Sequence, residues 1–151
     1  NSTLNLQQIE DKVILLSFIY VKCNMSTRCP LTTTNFQQIQ DLLGPDLNRQ
    51  TIFMLITLDP EEDTPAVLHR YGELYGADFN NWYFLTGRKQ MLDKIYREYE
   101  IINEREPDGT LRHSVITFLI DKKHQIRKMY FANEYRPDDV KQDIILLSKE
   151  K

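Results

Sequence analysis

Only two cysteines occur in the 151 residues, and just five positions separate them: Cys23, then Asn24, Met25, Ser26, Thr27 and Arg28, then Cys29 followed by Pro30. A thiol pair this close supports three chemistries. The loop is long enough to fold back and form a disulfide, whose Cα atoms lie about 4.4–6.8 Å apart. It is equally able to place two sulfurs around one metal ion. Alternatively the thiols are unrelated, one of them a small core residue. A purely structural disulfide is the weakest of these ideas, because closing so short a loop removes little entropy from the unfolded chain. The two-residue spacing of a Cys-x-x-Cys redox motif is absent. Lys22 and Arg28 add positive charge beside the thiols, and Pro30 marks the first turn of a helix. Cys29, at that helix N-terminus, is expected to be the more acidic thiol unless accessibility favours Cys23.

The remaining candidates are few. His113 precedes an apolar run and follows an Asp108-Gly109 turn; two thiolates with one imidazole suit copper in either redox state, or zinc. Its other reading is a surface histidine. His69 and His124 read as solvated. Met25 carries a soft sulfur but reads as loop filler. Asp59, Glu61, Glu62 and Asp63 form an acidic cluster, read as a solvated loop with a helix cap or as a second shell around a nearby cation. Trp82, Tyr83 and Phe84 read as core. No glycine-rich phosphate loop, HExxH zinc motif or Gly-x-Ser-x-Gly elbow is present, and there are only five glycines in all.

The elements that must position these groups follow from hydrophobic patterning. Lys12 to Tyr20 and Thr51 to Leu58 are almost wholly apolar and rich in β-branched and aromatic residues, as central strands buried on both faces are. Between them, apolar residues at 31, 36, 39, 42 and 43 predict a helix over Leu31 to Leu43, stopped by Gly44-Pro45. Pro65 to Tyr75 reads as a helix capped by Asp63 or Thr64 and ended by Gly76. Trp82 to Leu85 is a short strand and Lys89 to Tyr99 a third helix. Glu104 to Thr110 is a polar turn region. Ser114 to Asp121 and Gln125 to Phe131 read as a hairpin. Pro137 to Lys149 is the last helix, with Asp138 and Asp139 in its first turn, where the dipole favours them. The order β-α-β-α-β-α-β-β-α implies a three-layer α/β sandwich around a central mixed sheet, the thioredoxin-like arrangement. In that topology Cys23 and Cys29 lie at the carboxyl end of the first strand, where ligand sites of open sheets form, and the junction at His113 comes beside them.

Composition removes other classes. The net charge is −3, from 19 basic and 22 acidic residues mixed along the chain, which argues against a nucleic-acid partner. No apolar run approaches the roughly 18 residues of a spanning helix, and the first residues have neither the basic start nor the apolar stretch of a signal peptide.

Four segments, in order, resemble the Sco/SenC proteins: Phe18-Ile19-Tyr20-Val21-Lys22-Cys23 with Cys29-Pro30; Thr57 to Pro65, with its Asp-Pro-Glu-x-Asp-Thr-Pro loop; Tyr71 to Gly87; and His113-Ser114 with the strand ending at Asp121. The resemblance spans roughly residues 10 to 148 and implies one thioredoxin-like domain over residues 1–151 that binds one copper ion, Cu(I) or Cu(II). By motif, Cys23, Cys29 and His113 would be its ligands and Asp59 a nearby acidic residue. It further implies a protein acting outside the cytoplasm, in a periplasm or a mitochondrial intermembrane space, usually held by an N-terminal membrane helix. Its expected role is assembly of the copper centre of cytochrome c oxidase, through copper delivery to the copper-bearing subunit. Thiol–disulfide exchange at Cys23 and Cys29 on that subunit or another thiol protein is the alternative. This sequence departs from the family pattern in three respects. Its cysteine spacing is five rather than the usual three, the wider loop of a subgroup. The N-terminal β-hairpin and membrane helix are not expected within these residues. The turn Lys122-Lys123-His124 lacks the usual glycine, with an effect expected only on local geometry.

Overall fold

The computed structural model describes residues 3, 4 and 9–150. In chain order the elements are β1 (Val13–Ile19), α1 (Cys29–Arg49), β2 (Thr51–Thr57), α2 (Pro65–Leu74), β3 (Trp82–Leu85), α3 (Lys89–Glu98), β4 (Asn103–Arg105), β5 (Leu111–His113), β6 (Ile116–Ile120), β7 (Ile126–Phe131) and α4 (Pro137–Ser148). Five strands form the sheet in the order β3-β2-β1-β6-β7. β1, β2 and β3 run parallel, whereas β6 is antiparallel to β1 and β7 to β6.

β1 and β2 are buried along their whole length, as their unbroken apolar runs require. Alternate residues serve the two faces. Leu15 lies beside Phe53, which packs against Phe36 of α1 at 5.9 Å between ring centroids. On the opposite face Phe18 meets Tyr96 of α3 at 6.1 Å and Phe118 of β6 at 6.4 Å. α4 packs beside α1, and α2 joins the same side through Tyr71, whose hydroxyl lies 2.8 Å from Thr33 Oγ1. The sheet is thus sandwiched between helices, the thioredoxin-like arrangement expected. Burying aromatic rings such as Phe36 and Phe53 completely contributes roughly 1.5–3 kcal/mol each.

Three details differ from the expected elements. Gly44 breaks α1 (φ 71°, ψ 170°) where the Gly44-Pro45 stop was expected, but the chain resumes helix at once, with Pro45 starting a short segment to Arg49. Residues 103–105 and 111–113, read as turn and connection, instead pair as a small antiparallel hairpin around Asp108-Gly109. Its strands are too short and polar to show alternation, and its exposed cross-strand partners are charges: Arg112 bridges Glu104 and Glu106. β6 accordingly starts at Ile116 rather than Ser114. Thr64, not Asp63, caps α2, accepting from Val67 N–H. In the β6–β7 turn His124 occupies the left-handed region (φ 61°), and Asp121 Oδ1 accepts from the amides of Lys123 and Gln125.

Candidate metal centre

Topology alone brings the three candidate ligands to one end of the sheet. β1 ends at Ile19 and delivers the loop that carries Cys23. Because β6 runs antiparallel to β1, with Thr117 opposite Ser17, the residues preceding β6 pass that same end. Ser17, buried in the middle of β1, ties the two segments together by donating to Ile116 O at 2.8 Å.

The loop from Tyr20 to Arg28 is held at several points. Cys23 N–H donates to Tyr20 O (3.3 Å), and Arg28 N–H donates to Met25 O (3.0 Å). Val21 N–H is received by the Asp63 carboxylate, which also accepts from Thr57 Oγ1 at 2.6 Å. Burial raises the Asp63 pKa, with the hydrogen bonds from Thr57 and Val21 opposing that shift. Asn133, nearly buried and itself in the left-handed region (φ 58°), donates from Nδ2 to the carbonyls of Thr27 and Arg28 and accepts from Thr32 Oγ1. Cys29 is the first residue of α1. Its carbonyl accepts from Thr33 Oγ1 at 3.0 Å and Tyr71 Oη at 3.5 Å.

Cys23 and Cys29 are free thiols, both buried, and with His113 they form a group whose ligand atoms all lie within 4.8 Å of one another. His113 Nε2 is 3.5 Å from Cys29 Sγ. Its Nδ1 lies 2.8 Å from the carbonyl of Ser114, which can only accept a hydrogen bond, so Nδ1 carries the proton and the Nε2 lone pair faces the sulfurs. The main chain of His113 is fixed in turn by Arg28, whose guanidinium donates to the His113 carbonyl at 3.2 Å. Tyr20 stands edge-on to the imidazole, 5.5 Å between centroids at 90°. An ion at bond lengths of about 2.0–2.3 Å separates its ligand atoms by about 3.5–4 Å, so this spacing fits a shared metal after little movement. Two sulfurs and one imidazole nitrogen are a soft donor set.

The two thiols are electrostatically unequal. A hydrogen bond from the Cys29 thiol favours the Cys23 thiolate most; burial opposes it, and the amides of Cys29 and Met25 add support, so the Cys23 pKa falls well below an ordinary thiol's. Cys29 moves upward, first because it is the donor to Cys23 and then through burial. Accessibility decides the order that the helix terminus left open: Cys29, the donor to Cys23 and the deeper sulfur at 1% exposed against 7%, is the less acidic thiol. Burial, and then the Cys23 sulfur, push the Tyr20 phenol up to about 12, so it stays neutral.

Asp59 is buried but lies outside the three-ligand group: its carboxylate pairs with Arg105 Nη2 at 2.8 Å and its amide donates to Thr57 Oγ1. Both residues line a cavity of about 260 Å³ that also reaches Tyr20, Lys22 and Asn24, so this ion pair stands on the approach to the Cys23 loop. His69 pairs with Glu73 on an exposed helix face, and His124 occupies the hairpin turn. Met25 does not fill the loop; it is 48% exposed. Tyr20, Asn133 and Tyr71 were not singled out by sequence. Adjacency to Cys23 was a usable signal only for Tyr20.

A thioredoxin-like sheet that gathers two free thiols and an imidazole at the carboxyl end of its central strand defines a thiol protein able to hold a soft metal. Comparison with known proteins narrows this class. The chain belongs to the SCO1/SenC family, whose sequence model matches residues 1–148. It is 27% identical over 145 residues to the SCO1 protein homolog of Bacillus subtilis, covering 93% of this chain and 74% of that protein. It superposes with a TM-score of 0.86 on a SCO1/SenC family lipoprotein from Bacillus anthracis (21% identity, 97% of this chain and 87% of that one). With Bradyrhizobium japonicum ScoI, solved with copper bound, the TM-score is 0.80 (20% identity, 93% and 88% covered). Among the described residues no helix is long and apolar enough to cross a membrane.

Proposed function

We propose that this chain binds one copper ion through Cys23, Cys29 and His113 and passes it to the copper-bearing subunit of cytochrome c oxidase, in a compartment outside the cytoplasm. The observation that carries this reading is the convergence of two sulfurs and one imidazole nitrogen within 4.8 Å. Family membership and a shared fold with a copper-bound relative support it. Copper is the cargo. Cys23, already inclined to be a thiolate, binds without first losing a proton at neutral pH, whereas Cys29 releases its proton on loading. His113 contributes Nε2 and is kept in that tautomer by Ser114 O. Asp59 holds Arg105 at the rim, where a docking partner meets it.

The unequal thiols favour a second reading, exchange with a disulfide of a partner. The Cys23 thiolate attacks one sulfur of the partner's disulfide, forming a mixed disulfide and releasing one partner thiolate. Cys29, losing its proton, then attacks Cys23 Sγ and releases the second partner thiolate. The partner gains two electrons and this chain ends as the Cys23–Cys29 disulfide.

Anaerobic titration of the reduced chain with Cu(I) and with Cu(II), followed by sulfur-to-copper charge-transfer absorption, tests the first reading. One copper per chain, lost in Cys23→Ser and in Cys29→Ser and weakened in His113→Ala, is expected. Failure of the unmodified chain to bind copper overturns that reading and leaves thiol exchange, for which the Cys23–Cys29 reduction potential is the next measurement.

A further inference from the structure

We propose that the thioether of Met25 is the entry and exit ligand for Cu(I), binding the ion transiently as it moves between the buried Cys23–Cys29–His113 group and an acceptor; this rests on the copper-carrying reading above.

The three ligands are held unequally. Cys29 is anchored as the first residue of α1, with its carbonyl received by Thr33 and Tyr71, and His113 is fixed through Ser114 O and Arg28. Cys23 is the one ligand carried by irregular loop, and it is more exposed than Cys29. Release therefore proceeds by opening the Cys23 side. Met25 sits at that side. It follows Cys23 by two residues, in the irregular loop that links the two cysteines. Its carbonyl closes the turn to Arg28, fixing the backbone, while its side chain remains 48% exposed.

A long apolar side chain left half in water on the loop that links two buried sulfurs gains little from packing, and its sulfur is the one further soft donor among the residues between the cysteines. A thioether needs no deprotonation and is a weaker ligand than a thiolate, which suits a transient contact. The step is a ligand exchange: a bond from Met25 Sδ to Cu(I) forms, the bond from Cys23 Sγ opens, and the acceptor's donor then replaces Met25. No electrons are transferred, and Cys23 departs as the thiolate.

The test compares the unmodified chain with Met25→Leu, which keeps size and apolarity but removes the sulfur. Both are loaded with one Cu(I), and transfer to bathocuproine disulfonate is followed by stopped-flow absorbance; loading from the acetonitrile complex of Cu(I) is timed separately, and affinity is obtained by competition. Met25→Leu is expected to slow loading and release alike by about tenfold. Affinity, the ratio of the two, should move by less than about threefold. Equal rates in the two proteins overturn the inference while leaving the copper reading intact. A loss of affinity matching the loss of rate also overturns it, because Met25 would then be a resident ligand. If the unmodified chain takes up no Cu(I), the copper reading itself fails and the inference with it.

Discussion

Replacing Asn133 disturbs the metal loop from outside the ligand group, and its cost can be worked out bond by bond. Asn133 Nδ2 donates to Thr27 O at 3.3 Å and Arg28 O at 3.2 Å, and Oδ1 accepts from Thr32 Oγ1 at 3.1 Å. Arg28 O keeps the Thr32 amide at 2.9 Å as a partner, and Thr32 Oγ1 keeps Arg28 O, so the group that suffers most is the Thr27 carbonyl. Thr27 is exposed, so water can take the place of this bond and the loss is the net contribution of one hydrogen bond, about 0.5–1.5 kcal/mol. Alanine also places a Cβ in the left-handed region at φ 58°, adding about 1–2 kcal/mol. Asn133→Gly escapes that second cost but gains about 0.5–1 kcal/mol of unfolded-state entropy. The expected losses are thus about 1.5–3.5 kcal/mol for alanine and about 1–2.5 kcal/mol for glycine, and the alanine variant should melt about 3–14 °C lower. Urea unfolding of the reduced, metal-free chain measures the stabilities. Competition for Cu(I) measures the second effect, an expected loss of about 10–100-fold in affinity as the residues preceding Cys29 loosen. An alanine variant within about 0.5 kcal/mol of the unmodified chain, or one milder than glycine, refutes this account of Asn133.

Other perturbations discriminate as clearly. In the reduced, metal-free chain, iodoacetamide should modify Cys23 at a nearly constant rate from pH 8 to pH 6, because its pKa is depressed; a fall of about tenfold per pH unit would contradict the depressed value. Cys29, with its raised pKa and only 1% exposure, should react only on unfolding, as mass mapping of the labelled sites will show. For Asp121, burial pushes the pKa upward but is outweighed by the Gln125 amide, Arg127 and the Lys123 amide, leaving it depressed in the folded state. Its stabilising contribution is full above the unfolded value of about 3.9 and disappears as pH falls through the folded value. The gap in urea midpoint between the unmodified chain and Asp121→Asn should therefore close between pH 6 and pH 2, and a constant gap would refute the linkage. A Cβ at Gly72 would lie 2.6 Å from Phe84 Cε2 and 2.9 Å from Phe79 Cζ. Phe79 is part-exposed and can turn away, but Phe84 is packed against Trp82 and Tyr71, so Gly72→Ala should lower stability by about 1–3 kcal/mol in calorimetry.

Much of this arrangement was legible where the apolar pattern is dense. The runs at 13–19 and 51–57 could only be central strands, and placing Cys23 and Cys29 after the first of them was enough to locate the site. The hairpin at 103–113 left no such trace: its strands are three residues long, and four of the six paired residues carry a charge or an imidazole. The order of thiol acidity was left to accessibility because helix position can be seen in a sequence, whereas the depth of each sulfur is a tertiary fact. Asn133 was illegible for the same reason, lying more than a hundred residues from the carbonyls it holds. Asp59 was recognised as part of an acidic cluster, but its partner Arg105 comes from the unrecognised hairpin.

The break at Gly44 separates the mechanical fate of the two ends of α1. A continuous helix turns about 100° for each residue added or removed, so it would convey a change of length at one end as a rotation at the other. Here the backbone at Gly44 leaves the helical path, and the segment from Pro45 to Arg49 starts afresh, tied to the next strand by the bond from Thr51 Oγ1 to Leu47 O. Insertions and deletions around residues 45–50 are taken up at that joint. The orientation of Cys29, fifteen residues away, is insulated from them, and the far end of the molecule is left free to diverge without retuning the metal loop.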